Sequence, residues 1–162
     1  MKYQRLSNAE LENLKDDFIR FIASQGIDAD TWQKMKSTQL AQAEEIINIY
    51  SDLVYDQALN KCQYLEHISA KEFKAFHFTD TNSVMYGIRV KHDSTINLNT
   101  ENFQKSIQQG IEKKEIEVFS ATKTHEFLRE QEMFNWITKG AYMADEKWFM
   151  ELNRLKKHLE NR

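Results

Sequence analysis

The stretch Val84-Met85-Tyr86-Gly87-Ile88-Arg89-Val90-Lys91 carries the clearest β-strand pattern in this 162-residue chain. Apolar residues occupy every second position, which is the period of a β-strand with one buried and one polar face. The segment Asp80-Thr81-Asn82-Ser83 comes directly before it and consists of residues that favour tight turns. Because strands joined by so short a turn lie antiparallel, we expect this stretch to pair with the segment that precedes the turn.

Three other segments in the middle of the chain also have the composition of strands. They are rich in β-branched and aromatic residues: Cys62–Ile68, Glu72–Phe78 and Glu115–Thr122. A short helix is predicted over Thr100–Gln109, with Gly110 ending it. The middle of the chain therefore predicts a small, mainly antiparallel sheet of about four strands.

Helical periodicity marks both ends of the chain. Ser7 and Glu10 have the spacing of a capping box, and apolar residues then recur every three or four positions up to Gly26. Further helices are predicted up to about residue 60, over residues 126–139 and from about residue 144 onward. The predicted fold class is therefore α+β, with the sheet flanked by N-terminal and C-terminal helices. No linker or repeat divides residues 1–162, so we expect a single domain.

The glycine and proline content excludes several classes of function. The chain has 4 Gly and no Pro, and the glycines lie far apart. Phosphate-binding loops and dinucleotide fingerprints need several glycines close together, because the backbone must approach the ligand. We therefore predict no such loop and no cofactor.

Charge and cysteine content bear on the cellular compartment. The net charge is −3, and Cys62 is the only cysteine, so no internal disulfide can form. The first residues lack the apolar core of a signal peptide, and no run approaches the roughly twenty apolar residues of a membrane span. We predict a cytoplasmic protein with no membrane partner.

A pocket between the sheet and the helices is one hypothesis for function. Cys62 is the only possible thiol nucleophile, and it needs a nearby base or cation to be held as a thiolate. His67 and His77 lie on neighbouring predicted strands, and Glu66 is next to His67. These four residues are the candidates for a small-ligand-binding or enzymatic pocket. A buried structural cysteine and hydrogen-bonded histidines explain the same residues without any chemistry.

No motif with the spacing of a catalytic or metal site occurs in the sequence. The five histidines include no His-x-x-x-His or His-Glu-x-x-His pair. Glu66 and His67 are adjacent, and adjacent residues of a strand point to opposite faces of the sheet. We therefore assign no catalytic, cofactor-binding or metal-ligating residue, and favour a protein that is not an enzyme.

Association with RNA or the ribosome is a second alternative. The C-terminal tail is locally basic, through Arg154, Lys156, Lys157 and Arg162. The predicted sheet carries Phe73, Phe76 and Phe78, and aromatic side chains exposed on a sheet can stack bases. No third of the chain carries the large basic excess that phosphate contacts favour, so nucleic acid is the weaker interpretation.

A surplus of aromatic residues near the C-terminus bears most directly on function. Trp136, Tyr142, Trp148 and Phe149 cluster around a predicted junction between two helices. Trp148 continues an inward apolar stripe, whereas Phe149 lies about 100° further round the helix. Part of the surplus is therefore predicted to be exposed, and exposed aromatic patches commonly mark partner sites. A broad core that buries both helix faces is the alternative.

Four groups of residues, spread over almost the whole chain, carry a resemblance to a family. They are Met1-Lys2-Tyr3-Gln4-Arg5-Leu6 with Glu10-Leu11, Phe21-Ile22-Ala23 with Gly26-Ile27 and Trp32, Tyr64-Leu65-Glu66-His67, and Arg129-Glu130-Gln131-Glu132-Met133-Phe134 with Gly140-Ala141. Together they resemble an uncharacterised bacterial family catalogued only as a domain of unknown function. The resemblance implies a small cytoplasmic bacterial protein, and it brings no activity, cofactor or catalytic residue.

The expected function is a non-catalytic protein-interaction or regulatory module. Its partner is expected to be another protein or a second copy of the chain, because catalytic signatures are missing and aromatic residues are in surplus. The partner-binding candidates are Trp136, Tyr142, Trp148 and Phe149. The sheet–helix pocket and RNA association remain the alternatives.

Overall fold

The computed structural model describes residues 1–161. The chain forms two compact units, Met1–Ala58 and the part from Leu59 onward. The single domain predicted from the sequence stays a prediction, because two compact units can still fold as one cooperative domain. No helix among the described residues is both long and apolar enough to cross a membrane.

Helices make up the first unit. They are α1 (Asn8–Asn13), α2 (Lys15–Ser24), α3 (Ala29–Thr38) and α4 (Leu40–Lys61), whose last residues belong to the second unit. The predicted capping box at the start of α1 is confirmed: the Glu10 amide donates to the Ser7 hydroxyl, and the Ser7 amide donates to the Glu10 carboxylate. Gly26 follows α2 with φ of +76°, the left-handed conformation that glycine adopts without strain.

The second unit contains an antiparallel sheet and three helices. The strands are β1 (Tyr64–Ile68), β2 (Glu72–Phe78), β3 (Asn82–Val90), β4 (Ile116–Thr124) and β5 (Tyr142–Ala144). The helices are α5 (Phe103–Glu112), α6 (Arg129–Ile137) and α7 (Lys147–Glu160). The strand order is β4-β3-β2-β1-β5, and every neighbouring pair is antiparallel.

The α+β class and the flanking helices are confirmed, but the sheet has five strands rather than about four. The fifth strand, β5, has three residues, which is too short to show an alternating pattern. The end predicted for α5 is also wrong. Gly110 lies inside this helix, buried against Ile116, and the helix continues to Glu112.

Each face of the sheet packs against different helices. On one face, Phe73 and Ile88 form a core with Phe149 and Leu152 of α7. On the opposite face, the Phe76 ring lies 4.4 Å from the Trp136 ring of α6, measured between ring centres. Burial of these side chains on both faces holds the strands in one register. A slip of one residue would move every side chain of a strand to the other face of the sheet.

The β3–β4 pair depends on one close approach between a glycine and an aromatic ring. Gly87 lies opposite Phe119 in the register, and a Cβ atom at residue 87 would overlap the Phe119 ring. We expect Gly87→Ala to destabilise the protein by about 1–3 kcal/mol, the usual cost of overpacking, in urea denaturation. In a Phe119→Ala background the same change should cost much less. An equal cost in both backgrounds would show that the ring is not the cause.

Candidate functional site

The four candidates for a pocket lie on both faces of the sheet. The His77 ring stacks on Tyr64 at 4.6 Å, and the register places Glu66 on the same face as these two. His67 lies on the other face, where its ring is 6.3 Å from that of Trp136. Because the imidazoles and the carboxylate do not converge, the geometry does not build one site from them.

Cys62 and His77 are both constrained by their surroundings. The Cys62 thiol donates to the Tyr64 carbonyl (3.0 Å), and the Arg129 guanidinium donates to the Cys62 carbonyl. His77 borders a shallow cavity of about 380 Å³ that Arg129 also lines. Burial, aided by the positive charge of Arg129, lowers the pKa of His77. The neutral imidazole is therefore favoured there, and the hydrogen bond of the thiol goes to a backbone carbonyl rather than to this imidazole.

The buried Glu66 pairs with the partly exposed Tyr142 across the β1–β5 ladder. The Tyr142 hydroxyl donates to the Glu66 carboxylate at 2.9 Å, and Glu66 is only 7% exposed. Burial raises the pKa of Glu66, while the bond from Tyr142 opposes that rise. Burial and the carboxylate raise the pKa of Tyr142 to about 12. The pair fixes the short strand β5 on the edge of the sheet.

The four aromatic candidates have different environments. Phe149 is buried against Tyr86, with ring centres 5.0 Å apart, and the half-buried Trp148 packs on Phe103 at 4.9 Å. Trp136 is half-buried on Phe76. Tyr142 is 46% exposed and lies in β5, within the connection between α6 and α7. Most of the aromatic surplus is therefore used in packing, and Tyr142 alone of the four is largely accessible.

The residues that suggested RNA binding have structural contacts of their own within the protein. Phe73, Phe76 and Phe78 are each at most 3% exposed, so they offer no surface for stacking bases. In the tail, Arg154 pairs with Glu151 and Lys156 pairs with Glu160, which neutralises part of the basic charge. Arg162 lies outside the described residues.

An open apolar groove of about 570 Å³ lies on the first unit, between α1–α2 and α3. Its apolar walls include Leu11, Phe18, Ile19, Ile22, Ile27 and Trp32. The charged residues on its rim are Glu12, Lys15, Asp28 and Lys36. Acids and bases balance there, so the groove shows no preference for a charged ligand.

Strand β4 forms one edge of the sheet, and half of its backbone groups point away from β3. At its two ends, the Lys91 amide donates to the Glu115 carbonyl (2.8 Å) and the His125 amide donates to the Thr81 carbonyl (3.0 Å). In an antiparallel ladder, bonded residues alternate with residues whose N–H and C=O groups point outward. The odd-numbered residues of β4 therefore bond to β3, and the even-numbered residues face the open edge.

This edge is long, regular and exposed. Nine residues of β4 pair with β3 in a continuous register without a bulge, and residues 120–124 are all exposed. Within the part of the chain that the structure describes, no strand pairs with the outer side of β4. Proteins usually protect sheet edges with short strands, bulges, proline or charged side chains. The opposite edge, β5, is protected by its shortness, whereas β4 is long and regular and carries only the charges of Glu117 and Lys123.

The exposed edge is the site that sequence reasoning did not find. The strand itself was predicted, but the order of strands in a sheet depends on contacts that are distant in sequence. The alternation in β4 fades after Phe119, where Ser120, Ala121 and Thr122 follow. That weakening was the available signal, since a central strand of an antiparallel sheet keeps its alternating apolar residues along its length.

An antiparallel five-stranded sheet with helices before and after it defines a small α+β protein with one open sheet edge. Residues 1–157 match a family of unknown function, DUF6495. Because the match covers almost the whole chain, the protein belongs to this family, as the resemblance predicted. No curated protein and no solved structure matches the chain. Among the described residues, no group of three or more His, Cys, Asp or Glu is arranged to hold a metal ion.

The Glu66–Tyr142 pair gives a prediction about pH. Tyr142→Phe removes a hydrogen bond that favours the charged carboxylate, so we expect the pKa of Glu66 to rise further in an NMR titration. A carboxyl group whose pKa is higher in the folded protein than in the unfolded chain stabilises the fold at pH values below 4.5, its ordinary pKa. That contribution is lost as the pH rises through the folded-state pKa. The unfolding free energy of the variant should therefore fall more steeply than that of the wild type above pH 4.5.

A control separates this pair from other effects of the substitution. In a Glu66→Gln background, Tyr142→Phe should leave the pH dependence of unfolding in the acidic range unchanged, because the titrating carboxyl group is gone. An unchanged Glu66 pKa in the single variant would contradict the proposed role of the hydroxyl.

Proposed function

We propose that this protein is a non-catalytic interaction module that adds a strand from another chain to the open edge of β4. Addition of a strand to an exposed edge is a common mode of recognition, in which main-chain hydrogen bonds supply affinity and alternate side chains supply specificity. The observation that carries the proposal is the row of outward backbone groups on the even-numbered residues, from Ile116 to Thr124.

Two further observations support an interaction over chemistry. His67 lies on the opposite face of the sheet from Glu66 and His77, and the Cys62 thiol donates to a backbone carbonyl, so the four candidates do not form one cluster. The sheet behind β4 is rigidly built, since β3 pairs with β2 along its length and both faces are packed. A rigid strand loses little conformational freedom when a partner binds.

The proposed location is the bacterial cytoplasm. Its support is the single cysteine, half-buried as a thiol, and the resemblance to a bacterial family. Among the aromatic candidates, Tyr142 remains proposed as a secondary contact because it is exposed on the opposite edge.

A proline substitution tests the proposal without disturbing the sheet. The Ser120 amide points outward, so Ser120→Pro removes an edge donor and leaves the β3–β4 bonds intact. We expect immobilised wild-type protein to retain a bound chain, either a second copy or another protein, and Ser120→Pro to lose it. Amide exchange on the recovered complex should show protection of the even-numbered residues of β4.

The matched control is Ser120→Thr, which keeps the amide and favours the strand. It should retain the same bound chain, and circular dichroism should confirm that both variants fold. If Ser120→Pro retains what the wild type retains, or if no variant retains anything, the β4 edge is not a docking element.

A further inference from the structure

We infer that the partner of β4 is a second copy of this chain, and that two β4 strands pair antiparallel about a two-fold axis through Ser120. This inference rests on the proposed function, because it names the strand that occupies the open edge. It would join two five-stranded sheets into one continuous sheet of two identical halves.

The position of Ser120 makes this register complete. Ser120 is the central residue of Ile116–Thr124, so a two-fold axis through it pairs every residue of one β4 with a residue of the other. Its own N–H and C=O point outward. In this register Ser120 therefore meets Ser120 of the second copy as a hydrogen-bonded pair, and all the outward-facing residues find partners.

The charges of β4 are complementary in the same register. Glu117 and Lys123 lie three residues on either side of Ser120, so each faces the opposite charge on the second copy, twice by symmetry. Glu117 makes no ion pair within residues 1–161, and it is exposed. Behind it, Arg89 is opposite Glu117 in the ladder and bonds Glu72 at 2.7 Å. Charges therefore alternate across the sheet from Glu72 through Arg89 to Glu117 at the edge. In the proposed register, Lys123 of the second copy would be the next charge in this row.

Side-chain size is complementary as well. Phe119 would face Ala121 of the second copy, a large residue against a small one, on the face where the ring already covers Gly87. Phe119 of one copy and Ala121 of the other would be a non-hydrogen-bonded pair. In such pairs the Cα atoms are closest and the side chains interact most. The opposite faces of the strands would pair Val118 with Thr122, which are similar in shape.

Shifted registers lose these features. An axis through Val118 would place Glu117 opposite Phe119, and an axis through Thr122 would place Lys123 opposite Ala121. Either shift also leaves the far end of each strand without a partner. Lys123 already contacts Glu132 (3.3 Å) and Glu126 (3.5 Å), so the added ion pairs contribute mainly to register rather than to affinity.

A pair of cysteine variants tests the register directly. In a Cys62→Ala background, Ser120→Cys would place two thiols on residues whose Cα atoms are ~5.5 Å apart, within the range of a disulfide. Thr122→Cys is the matched control on the same face and edge, but its two copies would be roughly 13 Å apart along the strands. With oxidised glutathione, we expect about ten times more linked dimer from Ser120→Cys than from Thr122→Cys.

A charge variant tests the same interface in solution. Glu117→Lys would place two lysines opposite each other at both symmetric positions, and we expect about tenfold weaker self-association in sedimentation equilibrium. Glu101→Lys makes the same change of charge away from the sheet, at an exposed residue, and should leave self-association unchanged.

The outcomes separate this inference from the proposed function. Equal linking of both cysteine variants would overturn the register. A monomer at every concentration, with no linking through Ser120→Cys, would overturn the second copy as partner. If the immobilised wild type then still retains a different protein that Ser120→Pro loses, the proposed function stands alone; if it retains nothing, both fall.

Discussion

The alternation of backbone hydrogen bonds along β4 is the constraint on which the functional account depends. Each residue of an antiparallel strand can bond to one side only, so a nine-residue strand paired on one side keeps the other half of its donors and acceptors for a second neighbour. On β4 those groups face outward at the edge of the sheet. Water can satisfy them, but a strand of matching register satisfies them together and also buries side chains.

The rest of the second unit makes this edge rigid and keeps other surfaces occupied. Phe149 and Trp148 fill the space between α7 and the sheet, and Trp136 covers Phe76 on the opposite face. Rings that supply packing energy on both faces hold β3 in place, and β3 in turn aligns β4. The aromatic surplus therefore contributes to the interaction indirectly, through the order of the sheet.

Local patterns in the sequence predicted the elements but not their arrangement. The capping box at Ser7, the alternation over residues 84–90 and the helical periodicity up to Gly26 are set by neighbours in sequence, so they could be recognised. Strand β5 could not, because three residues carry no period, and it is held by the distant Glu66. Gly110 was misplaced for a related reason: its contact with Ile116 favours a glycine inside the helix.

The candidate site also combines a local sequence pattern with an arrangement that depends on distant contacts. Glu117, Ser120 and Lys123 can be read as a symmetric pattern in the sequence, but the pattern has meaning only once β4 is known to lie at an edge. Strand order follows from pairings between distant segments, which no local signal specifies. The alternation of faces along a strand separated Glu66 from His67 in the sequence, whereas the hydrogen bond between Glu66 and Tyr142 depends on the pairing of distant strands.

Amide hydrogen exchange in the purified protein, compared between dilute and concentrated samples, shows whether the outward amides of β4 acquire a partner. We expect fast exchange at the Val118, Ser120 and Thr122 amides in the dilute sample and slow exchange in the concentrated one. The amides of the odd-numbered residues, bonded to β3, should be slow in both. Exchange at the three outward amides that stays fast at every concentration, or that is slow even in the dilute monomer, would contradict the account.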